Sequence, residues 1–250
     1  MRINFTTLIL ALLVATSALA AEDHGAVVTP APYSPGVVMS QPVQAGITPE
    51  KAISILKAGN ERFLSNQPLK RDLKELVQKT ADGQYPFASI VACMDSRSGP
   101  EIVFDQSIGD LFVIRIAGNV ANDDIIGSLE YASEARGSKL IVVLGHTNCG
   151  AIKGACDAFT MGNLTGLLRR IQPAVNAAKT TGVRNSSNHA FVDEVGEINV
   201  ADTIRAIREK SPILQDLEAQ GKVRMVGAFY DISTGQIHWQ LDLDAVNFKH

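Results

Sequence analysis

The sequence predicts an α/β fold: a mostly parallel central sheet covered by helices, with an antiparallel edge strand and an N-terminal helical arm. Three observations carry this expectation. Short apolar runs at 87–92, 111–117, 140–144 and 223–229 show little of the alternation of a half-exposed strand, so they read as strands buried on both faces. Longer amphipathic stretches separate them, as crossovers between parallel strands require. The run 236–241 follows the turn Ser233-Thr234-Gly235 and fits an antiparallel edge strand.

Taken in order, residues 1–20 hold a lone Arg2, an apolar stretch at 8–14 and small residues at Ala18 and Ala20, the pattern of a cleaved secretory signal peptide. The stretch is shorter than the roughly 20 residues that span a bilayer. No later segment is apolar enough to cross one, so the mature chain is expected to be exported, periplasmic or secreted, and not inserted in a membrane. Residues 21–47 contain four prolines and little periodic apolar pattern, and are expected to form an extended linker. Thr48-Pro49-Glu50 then starts a helix, with a capping threonine and proline in the first helical position. Its apolar positions Ile53, Leu56 and Phe63 form the face of the arm. Helices are expected at 123–135, 151–159, 164–179 and 191–218, the last two bent or broken at Pro173 and Pro212. Residues 48–250 have the size of one domain.

Net charge argues against nucleic acid as a partner. The chain carries a formal charge of −3 and loses one more cation with Arg2, and it has no Lys/Arg cluster to neutralise phosphates. Three cysteines, Cys93, Cys149 and Cys156, make a poor disulfide framework for an exported chain. Thiolate metal ligands are the better reading.

Two strand endings carry the chemistry. IVACMDSR at 90–97 places Cys93 just after one strand, and VVLGHTNCG at 142–150 places His146 and Cys149 just after another. Ligands of open parallel sheets bind beyond the carboxyl ends of the strands, so these three residues can converge in one crevice. Two thiolates and one imidazole suit zinc and leave a fourth tetrahedral position free. Asp95 can fill that position, or Arg97 can hold it away as a charge-assisted pair and leave the site open. Cys156, two helical turns beyond Cys149, reads as a buried small residue. His24, His189, His238 and His250 read as structural or solvated. No G-x-G-x-x-G or P-loop follows any strand.

C-x-D-S-R at 93–97 with H-x-x-C-G at 146–150 resembles the beta-class carbonic anhydrases, as do GDLFVIRIAGN at 109–119, GSLEYA at 127–132, GAIKG at 150–154 and VGAFYDISTGQI at 226–237. The resemblance implies one Zn²⁺ per chain on Cys93, His146 and Cys149, an Asp95–Arg97 catalytic dyad, and reversible hydration of carbon dioxide to bicarbonate and a proton. It further implies sites near a dimer interface, in a homodimer or larger homo-oligomer. Gln84, nine residues before Cys93, Phe112, Tyr131 and the N–H of Gly150 take substrate-binding positions by the same resemblance. The family's bicarbonate-inhibited subgroup has tryptophan and glycine where this chain has Ile90 and Ala92, and the single tryptophan here is Trp239, so a plant-like open site is expected. Hydrolysis of carbon disulfide or carbonyl sulfide on the same scaffold, or a non-catalytic zinc module, are the alternatives.

Overall fold

The computed structural model describes residues 28–240. The expected signal peptide, His24 and His250 lie outside this range. Five strands, β1 (Ala88–Ala92), β2 (Leu111–Arg115), β3 (Leu140–His146), β4 (Arg224–Tyr230) and β5 (Ile237–Gln240), form one sheet in the order β2-β1-β3-β4-β5. The first four are parallel and β5 is antiparallel to β4, as the sequence predicts.

Side chains alternate across each strand, so the two faces build separate cores. Ile90, Val142 and Val226 point to one face, where they meet Ile53 and Leu56 of α2 (Pro49–Leu64). Val91, Ile141, Val143 and Met225 point to the other, where they meet α5 (Asp123–Glu130), α9 (His189–Lys210) and α10 (Pro212–Ala219). All seven residues of β3 are buried, as a central strand covered on both faces must be. Breaks fall at the prolines: α7 (Gly162–Leu168) is separate from α8 (Gln172–Ala177), and Ser211 caps α10 ahead of Pro212. Asn60, buried in α2, ties the arm to the β4–β5 turn. Its Nδ2 donates to the carbonyls of Val103 and Gly235 at 3.0 and 2.9 Å, and its Oδ1 accepts from the Ile237 N–H at 3.2 Å.

Three helices were not foreseen: α1 (Gln41–Ala45), α3 (Leu73–Lys79) and α4 (Pro100–Val103). The first corrects the expected linker. Residues 28–40 form no helix or strand and turn at 35–36, but Met39, Val43 and Ile47 are buried in the same core as α2. Gln44 adds two hydrogen bonds from its Nε2, to the carbonyls of Pro86 and Arg136, both at 2.8 Å. The segment is a strap laid over the body: Val43 of the short helix, and Met39 and Ile47 that flank it, all enter that core despite the prolines. No helix among the described residues is long and apolar enough to cross a membrane.

Candidate metal centre

Strand order creates the crevice. The chain moves from β1 outward to β2, then crosses back over β1 to β3, so connections leave the carboxyl ends of β1 and β3 in opposite directions. Ligand sites of doubly wound sheets lie at such a switch point. Ala92 and Leu144 are paired at those ends, so Cys93 leaves β1 beside His146, the last residue of β3. Cys149 follows as the N-cap residue of α6 (Gly150–Cys156).

All three side chains are buried, and their ligand atoms lie within 4.8 Å of one another. The Cys93 and Cys149 sulfurs are 3.8 Å apart. That is far too long for a disulfide near 2.05 Å. It equals the separation of about 3.8 Å that two thiolates about 2.3 Å from a shared tetrahedral ion would have. His146 Nδ1 lies 2.9 Å from the Thr147 carbonyl. A carbonyl only accepts, so Nδ1 carries the proton and Nε2 presents a lone pair. That Nε2 is buried without a hydrogen-bond partner, the orphan a metal would satisfy.

The electrostatics agree. The Cys149 thiol donates toward Cys93 and holds it well below the usual thiol range despite burial, with the Gly118 and Asp95 amides helping. Cys149 is pushed up in turn, first by that bond and then by burial. One thiolate therefore forms readily, whereas two adjacent buried thiolates need a cation between them. This donor set fits a soft divalent ion such as Zn²⁺.

Asp95 stands outside this cluster of three. Arg97 donates to it from Nε at 2.9 Å, from Nη2 at 2.7 Å and from its backbone N–H at 3.0 Å. These bonds, chiefly the side-chain ones, hold the carboxyl far below the usual carboxylate range. Asp95 Oδ2 still lies only 3.9 Å from His146 Nε2. The sequence left two partners open to Asp95, and the structure places it on Arg97.

One cavity of about 450 Å³ opens onto Cys93 and Asp95. Gly150 lines it, with Ala117, Ala151, Leu164 and Leu168 forming an apolar wall. Phe112 and Tyr131 are elsewhere. They line a second groove of about 730 Å³ outside the edge strand β2, together with Val113 and Ile114. Phe112 pairs with Ser89, four residues before Cys93 and thus about 13 Å back along the strand. Gln84 is exposed ahead of β1. Within one chain, then, Gly150 reaches the cavity and Gln84, Phe112 and Tyr131 do not.

Sequence reasoning missed Arg115. It donates from Nε to the Cys93 carbonyl at 3.1 Å and from Nη2 to the Asp95 carbonyl, fixing the loop that presents both residues. The available signal was a cation closing an otherwise apolar strand. Cys156 is half-buried, with burial pushing its thiol up to about 11, and it stands apart from the three ligands. His189 and His238 do not line the cavity.

Comparison with known proteins agrees with this geometry. The carbonic anhydrase family model matches residues 88–237. The chain is 36% identical over 196 residues to Carbonic anhydrase 2 of Mycobacterium tuberculosis, covering 75% of this chain and 91% of that one. It is 34% identical over 196 residues to the carbonic anhydrase of Mycolicibacterium smegmatis, covering 76% and 92%. The solved beta-carbonic anhydrase of Coccomyxa, in complex with acetazolamide, superposes with a TM-score of 0.58 at 28% identity, over 76% of this chain and 82% of that one. The chain belongs to the carbonic anhydrase family, in its beta class.

Proposed function

We propose that this protein catalyses the reversible hydration of carbon dioxide to bicarbonate and a proton, with one zinc per chain held by Cys93, His146 and Cys149. The observation that carries the reading is the clustering of these three ligand atoms within 4.8 Å beside an Asp95 already occupied by Arg97.

Bound zinc supplies Lewis acidity and an activated water at neutral pH. The surrounding residues do the rest. Arg97 engages both oxygens of Asp95, so a bound zinc would be held by Cys93, His146 and Cys149 without that carboxylate. Asp95, ionised and fixed by its three bonds from Arg97, can accept a hydrogen bond from a donor beside it and so orient that donor. Ala117, Ala151, Leu164 and Leu168 offer an apolar wall to a linear, uncharged substrate. The Gly150 N–H begins α6 and has no partner within the helix, so it is free to donate to a substrate oxygen.

We assign the site to the plant-like open type. The support is the Arg97 fork on Asp95 and the burial of Ile90 and Ala92 in the core, where the inhibited subgroup carries tryptophan and glycine. We also propose a homodimer or larger homo-oligomer across β2. This strand ends the sheet and leaves Phe112, Val113 and Ile114 only partly covered, an edge that invites pairing. A neighbouring copy would be the route by which Gln84, Phe112 and Tyr131 reach a cavity. Residues 1–20 act as a signal for export to the periplasm or beyond. Sequencing the N-terminus of the exported protein should give Ala21 as its first residue.

Carbon dioxide hydration and carbon disulfide hydrolysis measured side by side on the zinc-loaded protein test the reading. Fast hydration with slow hydrolysis is expected. The reverse would make it a sulfur-substrate hydrolase, and no reaction with either would leave a non-catalytic zinc module.

A further inference from the structure

Asn199 is a polar residue in the wrong company. It lies mid-way along α9, is 2% exposed, and shares the helix with fully buried Val195, Val200 and Ile204. An amide buried without hydrogen bonds costs several kcal/mol, so its partner is informative. Its Nδ2 donates to the Gly118 carbonyl at 2.8 Å, across 81 residues of sequence. The N–H of that same glycine donates to Cys93 Sγ at 3.4 Å.

Gly118 has little freedom between these two bonds. Its φ is +67°, and a Cβ there would lie 2.8 Å from Ile171 Cδ1 and 3.3 Å from Ala151 Cβ. The two cysteines are thus supported differently. Cys149 draws amide bonds from Ala151 and Ile152 of the helix it caps. Cys93 depends in part on a peptide from the loop after β2, and Asn199 holds that peptide from a distant helix.

We infer that Asn199 is a positioning residue for the metal centre: it fixes the Gly118 peptide so that its N–H donates to the Cys93 sulfur and tunes that thiolate as a ligand. This rests on the reading of Cys93, His146 and Cys149 as metal ligands. An N–H···S bond lowers the energy of the sulfur lone pairs, and partners of this kind typically change metal affinity or activity by about 10–100-fold.

The test uses the full mature chain loaded with Co²⁺, whose thiolate-to-cobalt absorption reports the sulfur lone pairs directly. In Asn199→Ala that absorption is expected to move to lower energy, and metal affinity by chelator competition to fall about tenfold or more. Thr203→Val, a buried change one turn along the same helix, should leave the absorption in place. Unchanged absorption and affinity in Asn199→Ala would overturn the inference. If Asn199→Ala does not fold, wild-type protein loaded with NMR-active cadmium gives a second measurement. Coupling between the metal and the Gly118 amide proton is expected, and its absence would overturn the inference equally. Wild-type protein that takes up neither cobalt nor zinc would instead overturn the metal centre itself.

Discussion

Arg97 holds Asp95 in a two-pronged grip, Nε on Oδ1 at 2.9 Å and Nη2 on Oδ2 at 2.7 Å, while Oδ2 stays 3.9 Å from His146 Nε2. The carboxylate is therefore a near neighbour of the ligands, kept from them by one planar guanidinium. Replacing Arg97 by glutamine should release it toward the metal and close the free position. Zinc should be retained, and turnover should fall by about a hundredfold or more, the scale of losing a positioned proton-handling group. Asp95→Asn should do the same. The double variant should be no worse than either single one, because the two residues act as a unit. Stopped-flow hydration with zinc analysis checks this, and multiplying losses would contradict it.

Gly59 sets two effects against each other. Glycine inside a helix costs about 1 kcal/mol relative to alanine, so propensity favours Gly59→Ala in α2. Packing opposes it more strongly, since the new Cβ would lie 1.8 Å from the Phe104 carbonyl oxygen, a backbone atom that cannot swing aside. The variant should lose at least about 2 kcal/mol of stability in urea unfolding. Gly166→Ala in α7, where nothing lies within 4 Å, should instead gain about 0.4–1 kcal/mol.

Burial pushes the Asp110 carboxyl up to about 6, with the Ser107 N–H and Arg71 opposing and Asp105 adding to the rise. Its folded pKa then exceeds the unfolded value near 3.9. The folded chain binds the extra proton between about pH 4 and 6, so stability is fullest below pH 4 and is lost as pH rises through 6. The loss is at most about 3 kcal/mol. Thermal melts of wild type and Asp110→Asn across this window should converge at the acid end, with the asparagine variant gaining on wild type toward pH 7. A constant difference would contradict the assignment.

The strap over 28–47 predicts a stability effect far from the site. Gln44 spends both Nε2 protons on the carbonyls of Pro86 and Arg136. Gln44→Ala should cost about 1–3 kcal/mol, the penalty for leaving buried polar groups unmet. Removing residues 21–46 should cost more, because Met39 and Val43 leave the core with them. An unchanged urea midpoint in the truncated chain would restore the linker reading.

The ligands were legible because each follows a strand whose apolar run is unmistakable, and strand ends are where parallel sheets place chemistry. The state of Asp95 was not. Its two partners are equally near in sequence, and only side-chain geometry separates them. The strap was hidden by prolines, although Met39, Val43 and Ile47 carry a four-residue period. Arg115 and Asn199 escaped for a different reason: each acts through the backbone of another residue, and no residue pattern marks a carbonyl as a target. Gln84, Phe112 and Tyr131 entered through resemblance alone, and the fold of a single chain sets them away from the cavity.

Cys93, His146 and Cys149 are proposed to form a zinc centre that hydrates carbon dioxide. The most direct test is zinc content and stopped-flow hydration, measured on the mature chain and on its Cys149→Ser variant. One zinc per wild-type chain with rapid hydration, and loss of both in the variant, is the expected result. A zinc-loaded wild type that does not hydrate carbon dioxide, or a serine variant with full zinc and full activity, would contradict it.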